Sequence, residues 1–168
     1  MQSLTRAYDN VLTGMAILSG LLLLWMMVSI IVSVTMRNLG LQPFAWLFTS
    51  LEYGLLYMTM LGAPWLVREK GHVHIELFTA ALSPAGQRFV SRLVAVLCVL
   101  VCVVLAWKGI ELVAKNLSRN DYDVRAYYTP KWMLTLAFPV SFGFMAIEFA
   151  RFAFGPRMLL SGEAGIHE

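Results

Sequence analysis

A charge-free apolar run over residues 11–36 constrains this chain more than any other feature. As a helix rising about 1.5 Å per residue, such a run reaches about 39 Å, enough to cross about 30 Å of hydrocarbon with some tilt. It is too long for the apolar core of a secretory signal, and it ends in Thr-Met-Arg where a signal would show small cleavage-site residues. It therefore reads as an uncleaved transmembrane helix. Within it, Ala16 with Gly20 and Ser29 with Ser33 stand four apart, a spacing that permits close helix contact.

Residues 44–67, 89–113 and 132–154 form three further runs of spanning length. The sequence thus predicts an all-α integral membrane protein, a single membrane domain over residues 1–168 with four transmembrane helices. A short amphipathic interfacial helix is predicted between the second and third, over residues 74–83. There Ile75, Phe78, Ala81 and Leu82 share one face while Glu76 and Thr79 turn away, and Pro84 ends the segment. The short connection after Arg37 makes the first two helices antiparallel neighbours. Pro64 bends or terminates the second run, and Pro139 lies where it can kink the fourth. Residues 115–131 are polar and read as a turn-rich loop, followed by an interfacial aromatic cluster of Tyr127, Tyr128 and Trp132.

Composition agrees with a bilayer as solvent. The chain is 59% hydrophobic and 14% charged, against about 45–50% and about 25% in soluble domains. The net charge of +3 is spread between the apolar runs and forms no stripe, so nucleic acid is not an expected partner. Seven basic residues fall at the termini and middle connection and six on the other side. Four of the seven, Arg68, Lys70, Arg88 and Arg92, flank the second and third runs closely, which favours cytoplasmic termini.

No phosphate-binding glycine loop, nucleophile with a partner base, or specific metal motif occurs, so the chain is not expected to be an enzyme or to hold a cofactor. All three histidines lie outside the predicted spans, which disfavours a haem-anchoring subunit. Cys98 and Cys102 share one helical face inside an apolar run and read as small packing residues. Lys108 with Glu111 and Glu148 with Arg151 are three apart and suit ion pairs across one turn. Glu52 is the sharpest single residue: a carboxylate within an apolar run costs about 2.5–3.5 kcal/mol on insertion scales. It is either a titrating group on an ion path or a structural group fixing a helix or subunit contact. One reading is a self-contained, proton-coupled small exporter using Glu52 in a homodimer. The other is an auxiliary subunit, since no internal repeat or broken helix marks a transporter complete in itself.

The segment around Gly62-Ala63 favours the second. Arg68 follows that glycine by six residues and His72 follows by four more, then come Val73, Ile75, Glu76 and Leu82-Ser-Pro84. With Arg37 closing the first helix and Trp46 and Glu52 early in the second, this pattern resembles the small membrane (Q-type) subunit of tripartite ATP-independent periplasmic (TRAP) transporters. That family commonly has Asp where Glu76 stands, and its helix-two acid lies nearer the Trp. The resemblance implies structural or subunit-interface roles for Arg37, Trp46, Glu52, Gly62, Arg68, His72 and Glu76. It also implies a bacterial inner-membrane location and a scaffold role beside a large multi-helix subunit that carries organic acid and sodium. A periplasmic substrate-binding protein would complete the system, with residues 120–128 available to help dock it.

Overall fold

A computed structural model describes residues 2–69, 84–125 and 128–154. Four helices follow in order: α1 (Gln2–Asn38), α2 (Ala45–Arg68), α3 (Pro84–Arg119) and α4 (Lys131–Phe154). A two-stranded antiparallel hairpin, β1 (Tyr122–Val124) and β2 (Tyr128–Pro130), joins α3 to α4. Three of the helices, α1, α3 and α4, are long and apolar enough to cross a membrane. The expected second span corresponds to α2, whose 24 residues reach about 36 Å. With Thr49, Ser50, Glu52, Tyr53, Tyr57 and Thr59 along it, α2 is not among the helices apolar enough to meet that description. The interfacial helix predicted over residues 74–83 lies outside the described residues.

Three boundaries differ from expectation: α1 opens at Gln2 and not at residue 11, and the third helix differs at both ends. The third helix runs well beyond residues 89–113. It opens at Pro84, whose missing N–H suits a first helical position. It also continues through the polar residues 115–119, because Asn116 Nδ2 donates to Thr135 Oγ1 on α4 at 3.3 Å and Ser118 Oγ donates back to the Lys115 carbonyl at 2.9 Å. Polar side chains with partners do not end a helix. The end comes at Asn120, in the left-handed region with φ 47°. Its N–H donates to Leu117 O, and that of Asp121 to Asn116 O, both at 3.3 Å. The predicted turn-rich loop over 115–131 is thus a helix end followed by a hairpin. Gly40, at φ 73°, closes α1 in the same way, with Gly40 N donating to Arg37 O and Leu41 N to Met36 O. Neither Pro64 nor Pro139 terminates its helix, since α2 runs on to Arg68 and α4 to Phe154.

The helices stand in a row. α1 packs on α2, α2 on α4, and α4 on α3, so α1 and α3 occupy the edges with one principal neighbour each. Each edge helix is buried along a single stripe with a 3.5-residue repeat. On α1 the stripe runs through Leu12, Ser19, Met26 and Ser33, and on α3 through Ala95, Cys102, Gly109 and Asn116. Small residues dominate the α3 stripe and alternate with Leu12 and Met26 on that of α1, which lets the helix backbones approach closely. Against α1, a Cβ on Gly62 would meet Ser19 Oγ at 2.9 Å, and Ser19 Oγ donates to the Met58 carbonyl at 2.8 Å. Against α4, a Cβ on Gly109 would lie 2.9 Å from Pro139 Cδ and 3.1 Å from its backbone nitrogen. Phe149, Phe152 and Ala153 of α4 meet Ala95 and Cys102 of α3 and Val67 of α2 in the apolar core. Both cysteines are free, with Cys102 buried on the packing stripe. The remaining circumference carries Ile17, Leu21, Leu24, Leu100 and Trp107, all more than half exposed, which is the inside-out arrangement that lipid favours.

The Gly109–Pro139 contact yields a paired expectation. Gly109→Ala should destabilise the fold by about 1–3 kcal/mol through overpacking against backbone. Gly143→Ala, on α4 where an added Cβ meets nothing within 4 Å, should be neutral or stabilising by up to about 1 kcal/mol. Thermal unfolding in detergent reads both.

Candidate functional site

Two ionic clusters sit at opposite ends of α2, and each ties together elements distant in sequence. At the hairpin end, Arg125 lies just after β1, where the strand directs it back toward the first turns of α2. Its guanidinium Nη1 contacts Glu52 Oε2, and its Nε lies 3.4 Å from Asp123 Oδ2. Tyr53, next to Glu52 on α2, donates its hydroxyl to the same Asp123 oxygen at 3.0 Å. One helical turn further, Tyr57 donates to the Met133 carbonyl of α4 at 2.8 Å. Glu52 therefore has a cationic partner within the chain, supplied by a segment that reads from sequence as plain loop. Both side chains keep about half their surface, at 54% for Glu52 and 51% for Arg125, so the pair sits at an edge of the row and not inside it.

At the other end, Asp9 of α1 lies between two arginines, 3.6 Å from Arg68 of α2 and 3.5 Å from Arg151 of α4. Arg151 also pairs with Glu148 one turn earlier at 3.1 Å, as the spacing predicts. The carboxylate of this pair is buried, Glu148 being only 2% exposed. The guanidinium of Arg151 lies 5.6 Å above the Tyr8 ring, and the Tyr8 hydroxyl donates to the Phe144 carbonyl at 3.4 Å. Burying a carboxylate is tolerable only where a cation and further donors surround it. Arg151 meets that need for Glu148, and Asp9 shares the remaining positive charge with Arg68.

The residues singled out from sequence are spread across the fold. Glu52 and Trp46 lie near the start of α2, where Trp46 stacks on Trp25 of α1 with ring centroids 6.5 Å apart and on Phe44 at 6.0 Å. Arg37 is exposed in the last turn of α1, its carbonyl part of the helix cap, with no ion pair among the described residues. Gly62 forms the close contact with Ser19, and Arg68 joins the Asp9 cluster. His72 and Glu76 lie outside the described residues. Asp9, Tyr8, Asp123 and Arg125 were not singled out from sequence. The available signal was their flanking position: Asp9 and Arg151 each border an apolar run on the side that antiparallel helices bring together. Among the described residues no group of three or more His, Cys, Asp or Glu side chains is placed to hold a metal. Lys108 and Glu111 pair at 2.7 Å on the outer face of α3, as expected from their spacing.

Removal of Arg151 leaves Glu148 buried without its cation. Arg151→Ala should therefore destabilise the fold by about 3 kcal/mol, the low end for a broken buried pair because Arg151 itself is partly exposed. The double variant Glu148→Ala/Arg151→Ala should recover part of that loss. Lys108→Ala, in an exposed pair, should leave the unfolding midpoint unchanged.

A family model described as tripartite ATP-independent periplasmic transporters, DctQ component, matches residues 26–156. The matched stretch runs from the middle of α1 through the end of α4 and includes the Glu52–Arg125 cluster, while Tyr8 and Asp9 lie upstream of it. No curated protein matches the sequence. The chain belongs to the DctQ family, the small membrane components of TRAP transporters, a family of transport proteins and not of enzymes.

Proposed function

We propose that this chain is the scaffold of a TRAP system for organic-acid uptake, holding a larger transport subunit in the bacterial inner membrane without selecting substrate itself. The observation that carries the reading is the open row of helices. A protein that moves substrate alone needs a polar path enclosed by its own helices. Here the ionic clusters close on themselves at the two ends of α2. The outer stripe of α3, with Leu93, Val96, Leu100, Val103, Trp107 and Ile110 at alternating steps of three and four, is exposed. A repeat of 3.5 residues suits a long transmembrane helix of a partner crossing at a small angle. In this reading sodium and substrate are handled by that partner.

The same reading places all four helices across the bilayer. The hydroxyls of Ser50, Tyr57 and Thr59 are then answered by backbone carbonyls, and the carboxylate of Glu52 is neutralised by Arg125. The termini and the Asp9–Arg68–Arg151 cluster face the cytoplasm, in keeping with the basic residues flanking α2 and α3. The hairpin then faces the periplasm, where exposed Tyr122, Val124 and Tyr128 offer apolar contact area to a substrate-binding protein.

Purification of the tagged chain from its native membrane in mild detergent, followed by mass spectrometry, tests the assignment. The expected result is recovery with a roughly stoichiometric and much larger integral membrane protein. Recovery alone as a homodimer would overturn the scaffold reading and return Glu52 to the role of a titrating carboxylate. Arg37→Ala and Glu52→Ala should each lower the yield of the complex; normal assembly of both would count against structural roles for these residues. Glu52→Gln should leave uptake per assembled complex intact.

A further inference from the structure

An apolar cleft of about 740 Å³ opens between α1 and α2, in the half of these helices nearer the Asp9–Arg68 pair. Its walls include Ala16, Ile17, Gly20, Gly62, Ala63 and Trp65, with Thr13, Ser19 and Thr59 between them. The three hydroxyls are already engaged. Thr13 donates to the Asp9 carbonyl at 2.9 Å, Ser19 to Met58 O at 2.8 Å, and Thr59 to Leu55 O and Leu56 O, both at 2.9 Å. Internal bonding of this kind turns threonine methyls outward and leaves the cleft without a free side-chain hydroxyl donor. Its volume lies within the range of about 300–1,000 Å³ typical of small-molecule sites, and its chemistry suits hydrocarbon.

The end of the cleft supplies a charge. Arg6 stands seven residues before Thr13, and Thr13 seven before Gly20, so the three lie along one stripe of α1. Arg6 is exposed. The nearest acid on its own helix, Asp9, is taken by Arg68 and Arg151, and no ion pair to Arg6 occurs among the described residues. Trp65, on the opposite wall, is a residue type that prefers the headgroup boundary. We propose that this cleft seats an acyl chain of a phospholipid whose phosphate is met by Arg6. A partner helix would match the apolar walls equally well. It would leave the Arg6 charge unanswered, whereas a lipid satisfies both ends of the site at once. This inference rests on the membrane character of the chain and not on its scaffold role.

Gly20 provides a clean test. An added Cβ there meets nothing within 4 Å, so Gly20→Leu projects its side chain into the cleft and obstructs it. Gly14→Leu, also in open space on α1 but outside the cleft lining, is the matched control. The chain is purified together with whatever larger subunit accompanies it, and bound phospholipid is read by native mass spectrometry after extended detergent exchange. Wild type and Gly14→Leu are expected to retain a phospholipid adduct and Gly20→Leu to lose it. Added phosphatidylglycerol should raise the thermal midpoint of delipidated wild type by mass action but not that of Gly20→Leu. Arg6→Gln should remove any preference for phosphatidylglycerol over phosphatidylcholine. A lipid-free wild type, or equal retention by Gly20→Leu, would overturn the proposal. So would release of the larger subunit from Gly20→Leu with its lipid still bound, which would identify the occupant as a helix. In each case the presence of that subunit in the same spectrum reports separately on the scaffold reading.

Discussion

Helices that meet in lipid gain nothing by hiding apolar surface from a solvent that is itself apolar. Association has to come from how closely backbones approach and from the few polar groups that need partners, and every level of this structure depends on that constraint. It explains why the stripes that bury α1 and α3 carry Ser19, Ser33, Ala95, Cys102, Gly109 and Asn116, while most of the large aliphatic side chains of these two helices are exposed, Leu12 being buried. Gly62 against Ser19 and Gly109 against Pro139 are the places where contact is tightest.

Charge fixes what packing leaves free. A row of apolar helices can slide along its axes at little cost, because one turn of leucines resembles the next. The Glu52–Arg125–Asp123 cluster at one end of α2 and the Asp9–Arg68–Arg151–Glu148 cluster at the other remove that freedom. A slip of one turn would part Asp9 from Arg68 and Arg151, and Glu52 from Arg125. The hairpin between α3 and α4 acts in the same sense. Its hydrogen bond from Tyr53 and its Arg125 bring it onto α2, which neighbours α4 in the row and lies two places from α3.

Close-packed stripes and two ionic clamps hold the row together and leave outer apolar faces on α1 and α3, with an apolar cleft between α1 and α2. Membership of the DctQ family gives this arrangement a setting, since that family comprises the small membrane components of TRAP transporters.

Much of this was legible in the amino-acid order. Long apolar runs located α1, α3 and α4, and Glu148 with Arg151 and Lys108 with Glu111 paired as their i,i+3 spacing requires. Both small-residue pairs on α1 fitted close contact equally well. Ser29 and Ser33 proved to be buried, whereas Gly20 faces the open cleft, and nothing local separates the two cases. The hairpin was hidden because polar residues 115–131 carry no long hydrophobic period, and a two-stranded ribbon of three residues per strand leaves almost no alternation to detect. The partner of Glu52 was hidden for a related reason: Arg125 is 73 residues away, and only the turn after β1 aims it at α2. Sequence therefore determined the solvent, the helices and the local pairs, because hydropathy and helical periodicity act over neighbouring residues. The order of helices in the row, the faces that meet, and the charges that clamp them were decided by the tertiary structure, because they depend on which distant backbones can approach most closely.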